Sequence, residues 1–397
     1  MNHPHTLSKS LSSLVVFHNL QNDPVIIRLQ ELLLQCLFNA AEPSVRSYAD
    51  FTHELFQRTD NFSDFLLQFA LKDANVYMTE KAKGKEVSPV IEECLWNELT
   101  FLETLSTLTS KEIKTRIAYT GFLPDWNNRP CDFAAAYRDR IQNIHRFGYG
   151  AFAEHQFFAV ADGGLVPIKY PDTQTLEQFA GYERERGLVI QNTLHLLNGE
   201  SASNVLLYGD GGTGKSATIK AIVNRYKDEG LRLVEVKKHQ LLQLPGVLEA
   251  LAENPLKFIL FIDDLSFARS DDTFSALKAI LEGSVSARSK NVALYATSNR
   301  RHLVNERFAD RDGDELHLHE TLEETAGLAA RFGLTVAFEK PDKDIYLDIV
   351  RHLAEWYGLG PLDAELAARA EAFAIRSGGR SPRVARQFIE QRKLSPV

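Results

Sequence analysis

The chain has few cysteines and no long apolar run. Its 397 residues include three cysteines, Cys36, Cys94 and Cys131, which are odd in number, far apart and outside any metal-ligand spacing. This pattern excludes a disulfide framework and fits a reducing cytoplasm, which is the location we expect. No run of about 18 apolar residues predicts a membrane span, and we expect no signal peptide, because the first segment has only a broken apolar patch.

An excess of positive charge is also missing. The formal net charge is -8, so the molecule as a whole does not attract nucleic acid, although a local basic face remains possible. Hydrophobic residues make up 44% and charged residues 25% of the sequence, as in ordinary soluble globular proteins. The length is sufficient for two or three domains with sizeable cores.

Changes in the hydrophobic pattern predict three regions. Residues 1–170 are expected to form a mostly helical N-terminal domain that ends in a β-hairpin, with strands at Phe157–Val160 and Leu165–Tyr170 around "ADGG". Residues 171–340 are expected to form an α/β nucleotide-binding core. Residues 341–397 contain three helical segments opened by Asp, Pro or Ser, and these predict a small helical lid.

Short apolar runs alternate with helical patterns in the central region. Such alternation predicts a five-stranded parallel sheet with helices on both faces. The five predicted strands are Asn204–Tyr208, Arg232–Val236, Phe258–Ile262, Val292–Thr297 and Leu334–Phe338.

The stretch "GDGGTGKS", Gly209 to Ser216, matches the phosphate-binding pattern G-x-x-x-x-G-K-[ST]. Glycines allow backbone N–H groups to surround phosphate oxygens, Lys215 reaches the β- and γ-phosphates, and the Ser216 hydroxyl is a ligand for Mg²⁺. A predicted strand leads in and a predicted helix leads out, which favours this function over a structural glycine turn. The residues predicted to bind ATP here are Gly209, Asp210, Gly211, Gly212, Thr213, Gly214, Lys215, Ser216 and Ala217.

Two carboxylates end the apolar run "FILFIDDLSF". Asp263 is predicted to hold Mg²⁺, directly or through water, together with Ser216. Asp264 occupies the place where many such ATPases have a Glu that polarises water, so we expect it to be catalytic. An Asp is one methylene shorter, and a helix-capping role for Asp264 remains open.

Further phrases resemble AAA+ ATPases. In "ATSNRRHL", Asn299 matches the sensor-1 polar residue, and in "LAARFGL", Arg331 resembles the arginine finger of bacterial replication initiators, with Arg307 as its rival. "GRSPRVARQFI" resembles a sensor-2 segment with Arg383 as the nucleotide contact. "LEQFAGYERE" resembles the adenine-side segment, with Gly181 and Tyr182 as contacts.

From about Tyr170 to Gln391 the chain closely resembles one bacterial AAA+ family, domain-of-unknown-function family 815. The resemblance implies an AAA+ P-loop NTPase core with a C-terminal helical lid, and ATP and Mg²⁺ as cofactors. It implies no established client.

Three functions follow from these motifs. We expect an oligomeric ATPase that remodels an unidentified protein or nucleic-acid partner. The first alternative is a nucleotide-dependent switch or scaffold with little hydrolysis. The second is a small-molecule P-loop kinase, which does not explain "TSN" together with "GRSPRVARQ".

Overall fold

The computed structural model describes residues 4–37, 41–117, 119–161, 164–266, 272–281, 290–299 and 330–394. By the density of internal contacts the chain divides into two compact units, Met1–Glu154 and His155–Val397.

The first unit is helical. Its helices are α1 (Pro4–Ser12), α2 (Pro24–Gln35), α3 (Ala41–Phe56), α4 (Phe62–Lys72), α5 (Val76–Ala82), α6 (Pro89–Ser106), α7 (Ser110–Lys114), α8 (Phe133–Gln142), α9 (Ile144–Phe147) and α10 (Ala151–Glu154). A 3₁₀ helix, His18–Asn22, precedes α2. One apolar core joins the unit, and the predicted stripe on α6 contributes Leu95, Leu99, Leu102 and Leu105 to it.

Local side chains fix where several of these helices begin. Asp23 caps α2 by accepting a hydrogen bond from the Val25 N–H, and Pro24 occupies the first helical position, where its missing N–H costs nothing. Asn61 caps α4 by accepting from the Asp64 N–H. The helices predicted for this region are therefore confirmed, and their apolar periodicity and capping residues explain where they form.

Within its described residues, the second unit forms one sheet of seven strands, in the order β2-β1-β4-β5-β6-β3-β7. The strands are β1 (Phe157–Ala161), β2 (Gly164–Pro167), β3 (Val205–Gly209), β4 (Leu231–Glu235), β5 (Lys257–Ile262), β6 (Val292–Ser298) and β7 (Leu334–Phe338). β1 and β2 pair antiparallel, whereas the remaining neighbours are parallel. The predicted α/β fold with a parallel core sheet is confirmed.

The hairpin differs from its predicted placement with the N-terminal helices. Its first strand pairs in parallel with β4, Phe157 opposite Leu233, so the hairpin extends the core sheet to seven strands. The hydrophobic pattern signals a hairpin but not which edge it joins, because that pairing connects residues more than 70 positions apart.

Helices cover the sheet and continue into the lid. They are α11 (Glu183–Leu197), α12 (Lys215–Tyr226), α13 (Leu244–Ala252), α14 (Asp272–Leu281), and the lid helices α15 (Lys343–Trp356), α16 (Ala364–Arg376) and α17 (Pro382–Leu394). Asp342 and Asp363 cap α15 and α16 through the N–H groups of Ile345 and Leu366. The lid has its own apolar core.

A buried polar network ties α11 to the middle of the sheet. The Thr193 hydroxyl lies 2.8 Å from the hydroxyl of Tyr295 on β6, and the Asn192 side-chain amide donates to the same oxygen at 3.0 Å. Asn192 also donates to the Ser203 carbonyl just before β3. These contacts fix the position of α11 along β3, the strand that leads into the glycine-rich loop.

Candidate functional site

The glycine-rich loop lies between β3 and α12, at the carboxyl end of the sheet. Gly209, Gly212 and Gly214 have φ angles of 129°, 80° and 93°, a region that favours glycine. A Cβ on Gly209 would stand 2.2 Å from the carbonyl oxygen of Phe338 on β7. The loop therefore requires glycine at Gly209 for close backbone packing as well as for its dihedral angles.

Lys215, at the start of α12, is buried with its ammonium folded back onto the loop. Its Nζ donates to the carbonyl oxygens of Gly209 at 2.9 Å and Asp210 at 2.7 Å. Burial lowers the pKa of Lys215, while the negative charges of Asp210 and Asp263 oppose that shift. A desolvated ammonium at a helix N-terminus is prepared to receive an anion.

Asp263 follows β5 and collects hydroxyl donors. Its Oδ1 accepts from the Ser216 hydroxyl at 2.6 Å and from the Thr297 hydroxyl at 2.5 Å. Ser216 comes from α12 and Thr297 from β6, so three elements meet at one carboxylate. Because hard divalent cations prefer oxygen ligands, the adjacent Ser216 and Asp263 oxygens fit the Mg²⁺ site predicted for them.

Asp264 has a left-handed backbone, with a φ angle of 52°, which is uncommon for a residue other than glycine. Its N–H donates to the Thr297 hydroxyl at 2.9 Å, and its Oδ1 accepts from the side-chain amide of Asn299 at 2.7 Å. The structure therefore brings two of the three residues predicted to be catalytic, Asp264 and Asn299, into direct contact.

The lid reaches the loop through the start of α17. The Arg383 N–H donates to the Gly212 carbonyl at 3.2 Å, and a Cβ on Gly212 would stand 3.3 Å from the Arg383 Cβ. The hinge before the lid, residues 339–340, also contacts the loop, because the Lys340 N–H donates to Asp210 Oδ2 at 3.2 Å. Arg383 thus lies beside the glycine-rich loop.

These residues surround the P-loop cavity, which has a volume of about 480 Å³. This volume is within the range of small-molecule sites. Among the described residues, its wall carries three acids and four bases: Asp172, Asp263, Asp264, Lys215, Lys220, Arg383 and Arg386. The slight excess of positive charge suits a polyanionic ligand.

Two predicted nucleotide contacts do not reach the cavity wall. Tyr182 stacks on Phe338 with ring centroids 5.3 Å apart, and its hydroxyl donates to the Glu339 carbonyl at 2.6 Å. Gly181 faces the lid residue Ile345. The wall is formed instead by the preceding residues 178–180. The left-handed backbone of Tyr182 turns its side chain toward residues 339–340, and a nucleotide contact by Gly181 or Tyr182 stays a prediction.

Of the loop residues predicted to bind ATP, Gly209, Asp210 and Thr213 form the turn and do not line the cavity. Thr213 is buried, and its hydroxyl donates to the Asp210 carbonyl at 2.9 Å. Gly211, Gly212, Gly214, Ser216 and Ala217 line the cavity.

Arg331 lies at the opposite end of the sheet from the cavity. It precedes β7, whose Leu334 pairs with Val205 at the start of β3. Gly209 is four residues further along β3, about 13 Å at roughly 3.3 Å per residue. The structure therefore does not bring Arg331 to the cavity of its own chain. Its rival Arg307 lies outside the described residues.

Thr297, Lys220 and Arg386 were missed as site residues. Thr297 is part of the quoted "ATSN" phrase, and a polar residue at the carboxyl end of a buried strand is the signal that could have identified it. Arg386 lies one helical turn after Arg383, facing the side-chain amide of Gln174. That i, i+3 spacing on α17 was visible in the sequence.

No described helix has both the length and the apolar character needed to cross a membrane. Across the described stretches, no group of three or more His, Cys, Asp or Glu side chains is arranged to hold a metal ion.

Several solved structures are similar to this chain. RuvB from Thermotoga maritima, described as a Holliday junction branch migration motor, has a TM-score of 0.38 and 18% identity over 55% of this chain and 64% of its own. DnaA from Aquifex aeolicus, bound to AMPPCP, has a TM-score of 0.40 and 18% identity over 57% of this chain and 67% of its own. ORC1 from Aeropyrum pernix, in complex with DNA, has a TM-score of 0.39 and 18% identity over 54% of this chain and 61% of its own. This chain thus spans less than two thirds of RuvB.

The search of curated proteins finds no match. The family model described as "Protein of unknown function (DUF815)" matches residues 151–394, which is more than half of the chain. The matched region begins just before β1 and ends with the lid helix α17, so it includes the whole sheet and the P-loop cavity. The chain therefore belongs to the DUF815 family, as its sequence motifs predicted.

Proposed function

We propose that this protein is a Mg²⁺-dependent ATPase of the AAA+ type, which acts as an oligomer and couples ATP binding and hydrolysis to remodelling of a protein or nucleic-acid partner. The observation that carries the proposal is the shared carboxylate of Asp263. Hydroxyls from α12 and β6 meet at this carboxylate, on the wall that also contains the buried Lys215.

The phosphates are bound by the glycine-rich loop. Backbone N–H groups of residues 211–216 and the Lys215 ammonium supply positive charge at the N-terminus of α12. The metal is held by the oxygens of Ser216 and Asp263. When bound, Mg²⁺ neutralises negative charge on the phosphates.

Asp264 is the proposed general base. Asn299 donates to its Oδ1, which orients the carboxylate and leaves Oδ2 for a proton from the attacking water. The Asn299 amide is also available to orient that water. Both residues follow neighbouring strands, so the rigid sheet holds them in register.

Lid movement is the proposed output. Arg383 adjoins the loop, and the hinge at residues 339–340 bonds to Tyr182, just before α11, and to Asp210 in the loop itself. A change in the charge of the bound phosphates therefore alters forces on the lid at two places. The lid helices transmit this change to a neighbouring subunit or to the partner.

Arg331 is proposed to act on the nucleotide of a neighbouring subunit. Its position at the amino end of β7, far from its own P-loop cavity, supports action between chains and hence an oligomer. A guanidinium supplied to the γ-phosphoryl group can raise the rate by about 10³–10⁵.

The test is ATP turnover as a function of protein concentration. We expect the rate per chain to rise steeply as subunits assemble, and Arg331→Ala to abolish it. Mixing Arg331→Ala with Lys215→Ala should restore activity, because some interfaces then combine an intact P-loop with an intact arginine. Arg369→Ala, which removes a lid arginine paired with Glu365 one helical turn away, is the matched control and should leave turnover unchanged. A low rate that neither changes with concentration nor recovers on mixing contradicts the oligomeric ATPase.

A switch with little hydrolysis is the second candidate function. It is favoured by the short side chain of Asp264, one oxygen of which is already bonded to Asn299. Single-turnover hydrolysis decides between the two. Micromolar ATP binding and full assembly, with hydrolysis slower than the release of ATP, support the switch.

A nucleic-acid client is tested separately. The "IDDL" and "TSNR" phrases resemble those of replication initiators and helicase loaders, and this resemblance motivates adding single-stranded DNA at low salt, where phosphate contacts are strongest. An increase in ATPase rate or measurable affinity supports a nucleic-acid client. No effect on either directs the search to a protein client.

A further inference from the structure

The P-loop cavity extends past the residues that are proposed to bind the triphosphate. α12 leaves the loop at Lys215 and, at about 1.5 Å per residue, brings Lys220 to the cavity wall roughly 7.5 Å further along. On the lid, Arg386 lines the wall one turn of α17 beyond Arg383. This distal end of the cavity is lined by Asp172, Gln174, Lys220 and Arg386.

Hydrogen bonds bring the segments of the distal end together. Asn224 lies one turn after Lys220 on α12. Its side-chain amide donates to the carbonyl oxygens of Asp172 at 2.9 Å and Gln174 at 2.8 Å. The side-chain amide of Gln174 in turn contacts the guanidinium of Arg386. Residues four apart on a helix have Cβ atoms about 5–6 Å apart, so Lys220 lies beside this connection between α12 and α17.

The two cations of the distal end have little negative charge to balance them. Among the described residues, neither Lys220 nor Arg386 forms an ion pair, and Gln174 offers only a neutral oxygen. Asp172 is the one described carboxylate of this end, and its Oδ1 already accepts from the Gln174 N–H at 3.0 Å. The ribose and base of an ordinary nucleotide are uncharged, so they would leave an excess of positive charge here.

We propose that the P-loop cavity binds a nucleotide that carries a second phosphate, a monoester on the 2′ or 3′ oxygen of its ribose, between Lys220 and Arg386. The inference rests on the proposed nucleotide function of the same cavity and narrows the class of ligand. A phosphate monoester has a charge of about −1.5 to −2 at pH 7 and three acceptor oxygens, so it can accept from an ammonium and a guanidinium at once. Because Lys220 belongs to the core and Arg386 to the lid, the second phosphate links these two parts across the cavity.

The experiment compares three nucleotides by calorimetry on the full chain in excess Mg²⁺. They are ADP, adenosine 3′-phosphate 5′-diphosphate and its 2′-phosphate isomer, which differ only in the second phosphate. We expect at least one of the isomers to bind at least tenfold more tightly than ADP. Equal binding of all three nucleotides overturns the proposal.

Charge-removing variants test whether the named cations make this difference. The ratio of the affinity for the better isomer to that for ADP should fall at least fivefold in Lys220→Gln and in Arg386→Gln. A general loss of nucleotide binding affects both affinities and does not change the ratio. An unchanged ratio in either variant overturns the proposal.

Two further variants separate a local contact from overall charge. Asp172→Asn removes the opposing carboxylate at an exposed position, so it should raise the ratio, and it provides the test if Arg386→Gln does not fold. Arg225→Gln removes an exposed cation that lies on α12 but not on the cavity wall, and it should leave the ratio unchanged. An unchanged ratio in Asp172→Asn, or a fivefold fall in Arg225→Gln, overturns the proposal.

Binding of ADP itself distinguishes this inference from the proposed function. If ADP binds and the second phosphate adds no affinity, the inference fails and the nucleotide site stands. If neither ADP nor ATP binds, both fail.

The 5′ end of an RNA is another source of a second phosphate on ribose. There the phosphate is a diester with a single negative charge, so a pair of cations fits a monoester better. The dinucleotide 5′-diphosphoadenylyl-(3′→5′)-adenosine represents the RNA end. Weaker binding of this dinucleotide than of the better isomer supports a free nucleotide, whereas tighter binding overturns the assignment of a monoester.

Discussion

Replacing Thr297 by Val tests whether the shared carboxylate of Asp263 is a prepared metal site. The hydroxyl of Thr297 donates to Asp263 at 2.5 Å and accepts from the Asp264 N–H at 2.9 Å, and the residue is 2% exposed. Valine has nearly the same shape but supplies neither bond. A hydrogen bond to a charged group contributes about 1.5–3 kcal/mol and a neutral one about 1 kcal/mol, so we expect a loss of roughly 2–4 kcal/mol in stability.

The more informative measurement is the gain in ATP affinity on adding Mg²⁺. Loss of a residue that orients a metal ligand typically weakens metal binding by about 10–100-fold, so the gain should fall by a similar factor in Thr297→Val. Calorimetry with ATP, in EDTA and then in excess Mg²⁺, gives the two affinities.

Thr193→Val is the matched control. It also removes a buried hydroxyl, but one that bonds Tyr295 and a helix carbonyl, away from the P-loop cavity. We expect it to lower stability and leave the Mg²⁺ gain unchanged. If Thr297→Val lowers stability but retains the full Mg²⁺ gain, the role assigned to Asp263 is wrong.

Three further predictions follow from the geometry. Gly209→Ala should destabilise the protein far more than Gly214→Ala, because a Cβ at position 209 meets the Phe338 backbone whereas a Cβ at position 214 meets no atom within 4 Å. Thermal unfolding compares the two variants, and equal losses of stability contradict the close-packing argument. Burial raises the pKa of Asp73, so its bound proton stabilises the folded chain in acid, and that stability is lost as pH rises. The free energy of unfolding of Asp73→Asn should therefore exceed that of the wild type by about 1–3 kcal/mol at neutral pH. Urea titrations should show no difference between the two proteins below about pH 4. Arg383→Ala should weaken ATP at least tenfold while leaving AMP affinity nearly unchanged, and equal losses for both nucleotides would place the guanidinium away from the phosphates.

Much of the core sheet was predictable because parallel strands are buried on both faces. Each of the five apolar runs corresponds to a strand whose ends differ from the prediction by at most one residue, and Leu334–Phe338 matches at both ends. The lid helices were predictable because Asp342 and Asp363 are side-chain caps. Local chemistry thus determines these boundaries.

Long-range contacts account for what the sequence did not predict. Three features depend on residues distant in the chain: the hairpin's pairing with β4, the orientation of Tyr182 toward the hinge and the hydrogen bond from Thr297 to Asp263. Patterns within a short window carry no information about such partners.

The hairpin beside β4 affects how soluble the protein stays during expression and storage. By pairing with β4, it moves one edge of the sheet from β4, whose first four residues are buried, to β2, which is four residues long and half exposed. That edge ends in Pro167, whose nitrogen has no hydrogen to donate. A short edge that ends in proline is a poor template for strand addition, so the hairpin protects the sheet from aggregation between copies of the protein.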